Sequence, residues 1–352
     1  MTSRKIFKKT NFDILKLRKA SEIIKRNTYC KLSENLLLKM KTMKNMLFVL
    51  LLFLTSMGFS QEEHYTTEEV NINEYVKGTL VTPVSEEKMP LVILIQGSGP
   101  TDRNGNQSFM KNDALKKLAL EFAENGIATY RYDKRILQAQ RLNIAEKDMR
   151  FDDFVTDAVS VLDHFKDDKK FDRIVVLGHS QGSLVGMLAA KDRADGFISI
   201  AGVAQPIDSI LTTQIANQMP GLKENVQQTF REMRANGGSS AYNPMLESIF
   251  RPSVQPFILS WMNYDPRKEI AKLEIPVLLI NGTNDLQVAE TEAELLKEAN
   301  PDADLVIIEN MNHILRKIEG DQLENSKSYN EAGLPLHPDL VPKLVEFIEG
   351  IE

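Results

Sequence analysis

The sequence predicts an α/β fold, a mostly parallel central sheet with helices on both faces and a helical cap inserted late in the chain. Three observations carry this. Leu91-Val92-Ile93-Leu94-Ile95 is apolar without alternation, the mark of a strand buried on both faces. Helix-compatible segments separate such runs along the chain, as a parallel sheet requires. One apolar run, Arg173–Leu177, leads straight into Gly178-His179-Ser180-Gln181-Gly182 and then into the small-residue stretch Leu184–Ala190.

The elements follow in order. Residues 68–82 alternate as an opening hairpin, with Gly78 inside its second strand. After strand 91–95, a helix over Asp113–Glu124 puts Leu115, Leu118, Ala119 and Phe122 on one face and stops at Asn125-Gly126. Ile127–Tyr132 is the next strand, Phe151–Phe165 a helix, and Ile174–Leu177 the strand before Ser180. Gly196–Ala201, Val277–Ile280 and Leu305–Ile308 complete the series. The alternation breaks over residues 203–275, which are rich in Met and aromatics (Met219, Met233, Phe250, Phe257, Trp261, Met262) and are expected to form the cap. Such a stripe is either ordinary core or the lining of a substrate cavity, and Trp261 and Met262 are the candidates for substrate contact.

Length and charge set the bounds. The chain of 352 residues is 42% hydrophobic, enough for one large or two ordinary domains with a real core. Residues 1–42 carry 12 Lys and Arg against 3 Asp and Glu, whereas residues 61–352 carry 30 against 46. An acidic body offers nucleic acid no contact surface, so none is expected as a partner. Between these parts, Met43-Lys44-Asn45-Met46, the apolar Leu47–Leu54 and the small residues Gly58 and Ser60 form the pattern of a secretory signal peptide at 43–60. The apolar run is short for a stable membrane span, the competing reading being an N-terminal anchor. The expected protein is exported and cleaved near Ser60, with residues 1–42 an extension upstream of an initiator at Met43 or Met46. N-terminal sequencing of native protein should then read from Gln61, and soluble protein retaining residues 1–60 contradicts it. Cys30 is the sole cysteine, so neither a disulfide framework nor thiol catalysis is expected of the exported body.

Gly-x-Ser-x-Gly between a strand and a helix is the sequence of a nucleophile elbow, a turn so sharp that the Ser hydroxyl stands clear of the chain. Ser180 then needs a base, and the base needs an acid to fix its tautomer. His179 is adjacent, so its side chain diverges from that of Ser180. His64 lies near the signal segment, His164 on a solvated helix, and His337 before Pro338 in a late polar loop. His313 follows the last strand, on the sheet edge that carries Ser180, and is the candidate base. Asp285 leaves the preceding strand at that edge through Asn281-Gly282-Thr283-Asn284 and is the candidate acid; Asp302 and Asp304 sit at the strand's far end. An oxyanion site needs two N–H donors, one from Gln181 and one from the loop after 91–95. There Ser98 is the first choice and Gly99 its close competitor.

These motifs resemble the α/β-hydrolases, and within them the bacterial serine carboxylesterases with a Gly-Ser-Gly-Pro loop followed by Asp-Arg and a glycine-asparagine turn. Here the motifs are Gly97–Pro100, Asp102-Arg103 and Asn104-Gly105-Asn106, with the companion Tyr130-Arg131-Tyr132-Asp133-Lys134-Arg135. The similarity covers about residues 68–350, and Gln96 departs from it where many relatives carry His. The resemblance implies hydrolysis of a small-molecule ester, and Asp102, Arg103, Asp133 and Arg135 are expected to brace the loop. No metal or cofactor is implied, because no residue cluster has ligand spacing. Peptidase or amidase chemistry on the same triad, and a non-catalytic binding protein on the same fold, are the alternatives; oligomeric state is unread.

Overall fold

The computed structural model describes residues 64–351 and, before them, 21–22, 25–26, 39–41 and 43–44. The expected cleavage region Leu47–Ser60 and Cys30 lie outside the described residues. The chain divides into two units, Met1–Glu62 and Glu63–Glu352. The described residues of the first are helical, and the second holds the sheet.

Its sheet contains β1 (Tyr65–Asn71), β2 (Lys77–Pro83), β3 (Met89–Ile95), β4 (Ala128–Tyr132), β5 (Phe171–His179), β6 (Gly196–Ile200), β7 (Val277–Gly282) and β8 (Asp304–Ile308). They lie side by side in the order β1-β2-β4-β3-β5-β6-β7-β8. β1 and β2 form the expected antiparallel hairpin, and β2 also runs antiparallel to β4. All remaining pairs are parallel. Gly78 allows β2 to close on β4, since a Cβ there would collide with the Tyr130 ring.

The unbroken apolar runs are explained by burial on both faces. Leu91, Ile93 and Ile95 pack on one face with Val176, Phe151 and Leu184, whereas Val92 and Leu94 pack on the other with Leu118, Phe122 and Leu344. The helices Phe151–Phe165 and Gln181–Ala190 thus cover one side, and Ala114–Glu124 and Leu340–Glu349 the other. Helices at Glu290–Ala299, Gln322–Ser328 and Leu340–Glu349 add to those read from the sequence. With this topology the C-terminal ends of β3, β5, β7 and β8 meet on one edge, and the loops carrying Ser98, Ser180, Asp285 and His313 all leave from it.

Residues 203–275 fold into helices at Ile207–Gln218, Lys223–Asn236, Glu247–Phe250, Gln255–Trp261 and Pro266–Ile270. Ile210, Val226, Phe230, Met233, Phe250 and Met262 bury one another in a separate apolar cluster. Trp261 stacks on Phe151 with ring centroids 5.2 Å apart, and Phe257 lies 5.4 Å from Phe154. The aromatic stripe fastens this interval to the body.

Candidate active site

Ser180 stands at φ 54°, ψ −120°, immediately after β5 and before the helix Gln181–Ala190. A side-chain-bearing residue adopts such a conformation at a cost of about 1–3 kcal/mol, and only where its surroundings impose it. They do so here. The Ser180 N–H donates to the Ile200 carbonyl at 2.9 Å and the Ser183 N–H to the Ser180 carbonyl at 2.9 Å. A Cβ at Gly178 would strike the Gly182 backbone, and one at Gly182 would strike the carbonyls of Ile95 and Gln96. The helix start leaves amide N–H groups and the positive dipole end beside Ser180.

His313 is 5% exposed, in the loop after β8. Its Nδ1 lies 2.7 Å from Asp285 Oδ2. A carboxylate accepts, so Nδ1 donates, and in the neutral ring that tautomer leaves Nε2 as the acceptor. The other carboxylate oxygen of Asp285 accepts the N–H groups of Gln287 (2.7 Å) and Val288 (2.9 Å). Burial pushes the Asp285 carboxyl up, but the facing His313 ring and these hydrogen bonds outweigh it and hold it below the ordinary value. Asp285 is therefore ionised and fixed in direction. Gly282 permits the tight approach of its loop, because a Cβ there would meet the Met311 carbonyl.

His179 has a different part. Its Nε2–H donates to the His313 carbonyl at 2.8 Å, and burial, then the neighbouring His313, lowers its pKa to about 3. It stays neutral and anchors the backbone of the loop that carries His313.

The loop after β3 is pinned from several sides. The Ser98 carbonyl accepts Thr101 Oγ1 at 2.9 Å and Gln107 Nε2 at 2.8 Å. A Cβ on Gly97 would lie 3.2 Å from the Ser180 Cβ, so this backbone passes close to Ser180. Gln96 Nε2 donates to the Tyr132 carbonyl at 2.6 Å, the loop bond made by the residue that departs from the resembled pattern. Arg103 donates to both oxygens of Asp133, at 3.2 and 2.8 Å, and Arg135 to both of Asp157, at 2.7 and 2.6 Å. Asp102 Oδ1 accepts the N–H groups of Asn104 and Asn106, each at 2.8 Å. Asp102, Arg103, Asp133 and Arg135 thus hold the loop and its neighbours, and none of them lines the cavity described next.

Ser180, His313 and Ser98 line one cavity of about 80 Å³, together with Gly97, Gln107, Met110, Leu115, Gln287, Ile314 and Leu315. Asp285 lies behind His313. Gln181 presents its backbone beside Ser180, and its side chain is buried. Neither Trp261 nor Met262 lines the cavity, nor does any residue of 203–275. Trp261 is committed to the Phe151 stack, and Met262 to the apolar cluster of its own interval. The apolar wall comes instead from Met110, Leu115, Ile314 and Leu315, each adjacent to a loop already singled out. Lys134, which contacts both Gly97 and Gln181, went unread because it lies between Asp133 and Arg135 in what reads as a charged loop. Among the described residues no group of His, Cys, Asp and Glu side chains could hold a metal ion, and no helix is long and apolar enough to cross a membrane.

Residues 111–317 match the family model of the serine aminopeptidases, S33. The esterase EstD of Thermotoga maritima is 28% identical over 277 residues, covering 73% of this chain. The chain spans 62% of that relative's length. Among solved structures, Est1E from Butyrivibrio proteoclasticus superposes with a TM-score of 0.52 at 19% identity, covering 80% of this chain and 99% of that one. A puromycin-hydrolyzing peptidase of Mycobacterium tuberculosis gives 0.50 at 16% identity, covering 82% and 39%. At these identities the structures share the fold.

Proposed function

We propose that this chain, which belongs to the serine aminopeptidase S33 family, is a serine hydrolase that cleaves short carboxylic esters through an acyl-enzyme. The observation that carries this reading is the strained Ser180 sharing a cavity with His313, which is itself hydrogen-bonded to an ionised Asp285. Ser180 Oγ attacks the ester carbonyl while His313 Nε2 takes its proton. Asp285 holds the ring in the Nδ1–H tautomer and stabilises the imidazolium. The oxyanion that forms receives the N–H groups of Gln181 and Ser98. Collapse expels the alcohol, protonated by His313, and water then repeats the sequence on the acyl-Ser180 to release the acid.

Two features favour an ester over a peptide with a free amino terminus. An α-ammonium needs a carboxylate to receive it, and among the described residues lining the cavity there is no Asp or Glu. The name of EstD points the same way. The cavity of about 80 Å³ is well below the size that encloses a drug-sized ligand and suits a short acyl group. Purified protein should therefore hydrolyse p-nitrophenyl acetate and butyrate faster than the octanoate and dodecanoate, and aminoacyl p-nitroanilides slowly or not at all. Faster turnover of the anilides contradicts the ester reading. A kcat/KM that rises with chain length contradicts the small acyl site.

A further inference from the structure

We infer that Lys134 is a positioning residue that sets the two oxyanion donors, tying the Gly97–Ser98 peptide to the Gln181 side chain through one buried ammonium; this rests on the serine-hydrolase reading of the site. Lys134 follows β4 and is 5% exposed. Its Nζ donates to the Gly97 carbonyl at 2.5 Å and to Gln181 Oε1 at 2.6 Å. These acceptors belong to different elements, the loop after β3 and the helix after β5. They flank the two N–H groups that the mechanism needs.

Peptide geometry connects the tether to the donor. Every described peptide bond is trans, so the carbonyl of Gly97 and the N–H of Ser98 point in opposite directions from one plane. With the carbonyl held on Lys134, the Ser98 N–H is turned away from the ammonium. Ser98 lines the cavity with Ser180, and its own carbonyl is fixed by Thr101 and Gln107. Gly97 has no side chain to resist rotation, so without Lys134 this peptide is free to flip and present an acceptor where a donor is required. The ammonium also polarises the amide it binds, which strengthens the N–H at the other end as a donor.

The surroundings argue against a merely structural lysine. Gly97 and Gln181 face Nζ with neutral acceptors, the Phe154 ring centroid lies 4.8 Å from it, and the nearby His179 is neutral. Among the described residues no carboxylate forms an ion pair with Lys134. Burial alone lowers its pKa to about 7. Burying an amine, charged or neutral, costs free energy, and an apolar side chain of the same length fills such a space at less cost.

Lys134→Met tests this, with p-nitrophenyl acetate as substrate and circular dichroism and thermal unfolding as checks on folding. The expected result is a kcat lower by about ten- to a hundredfold with KM within about twofold, because an oxyanion donor acts in the transition state. Fluorophosphonate labelling of Ser180 should slow by a similar factor. Gln181→Met, which keeps the backbone N–H and removes one arm of the tether, should lose less. The double variant should be no worse than Lys134→Met alone, as residues acting as one unit are not additive. A wild-type kcat in Lys134→Met, a loss confined to KM, or losses that multiply in the double variant overturns the inference. If Lys134→Met does not fold, Gln181→Met decides: a severalfold lower kcat at an unchanged unfolding temperature supports the tether, and a wild-type kcat removes it. Wild-type protein that neither hydrolyses the ester nor labels at Ser180 refutes the hydrolase reading itself, and the inference falls with it.

Discussion

Ser180→Ala is expected to lower ester hydrolysis by about four orders of magnitude or more, with the fold intact. The substitution removes the one oxygen that forms the acyl-enzyme, and water attacking directly inherits only the residual help of the oxyanion donors. Ser180 sits at φ 54°, ψ −120° whatever it contributes to stability, and alanine bears the same β-carbon, so the strain persists and unfolding should shift little. Steady-state hydrolysis of p-nitrophenyl acetate, read beside thermal unfolding, separates the two. A folded Ser180→Ala protein with wild-type activity ends the account.

His313→Ala should cost nearly as much, since the hydroxyl then keeps its proton at neutral pH. Asp285→Asn is the more informative change. The carboxylate accepts from His313 Nδ1 and from the N–H groups of Gln287 and Val288. An amide in its place retains an acceptor for the loop but presents N–H toward the ring or leaves the ring unheld. The wrong tautomer then places the proton on Nε2, where the base must be empty. The loss should be smaller than for His313→Ala yet on the order of a hundredfold or more. Because the three act as one unit, the Ser180→Ala/His313→Ala double variant should match Ser180→Ala alone. Full activity in Asp285→Asn with loss at Asp302 or Asp304 moves the acid to the other end of β8.

Much of this arrangement is legible in the sequence because it is local. Gly178 and Gly182 bracket Ser180 within five positions, and unbroken apolar runs place β3, β5 and β7 inside the sheet without long-range information. Once those strands are parallel, their C-terminal ends share an edge, and Asp285 and His313 fall on adjacent loops. The structure brings that pair to 2.7 Å. What is not legible depends on which neighbour a side chain meets. Trp261 and Met262 carry the same apolar signal whether they line a cavity or fill a core, and Phe151, over a hundred positions away, decides for Trp261. Lys134 reads as one charge in a charged loop until β4 delivers it between Gly97 and Gln181. The wall residues Ile314 and Leu315 are ordinary apolar residues whose role comes from following His313 into the same cavity.

The central claim is that Ser180 is an activated nucleophile in a working site, and covalent capture tests it most directly. Protein treated with a fluorophosphonate probe, digested and sequenced by mass spectrometry should carry one adduct, on Ser180, in proportion to the esterase activity lost. Ser180→Ala should remain unlabelled, and His313→Ala should label far more slowly. An adduct on another serine, or esterase activity that survives complete modification of Ser180, contradicts the account.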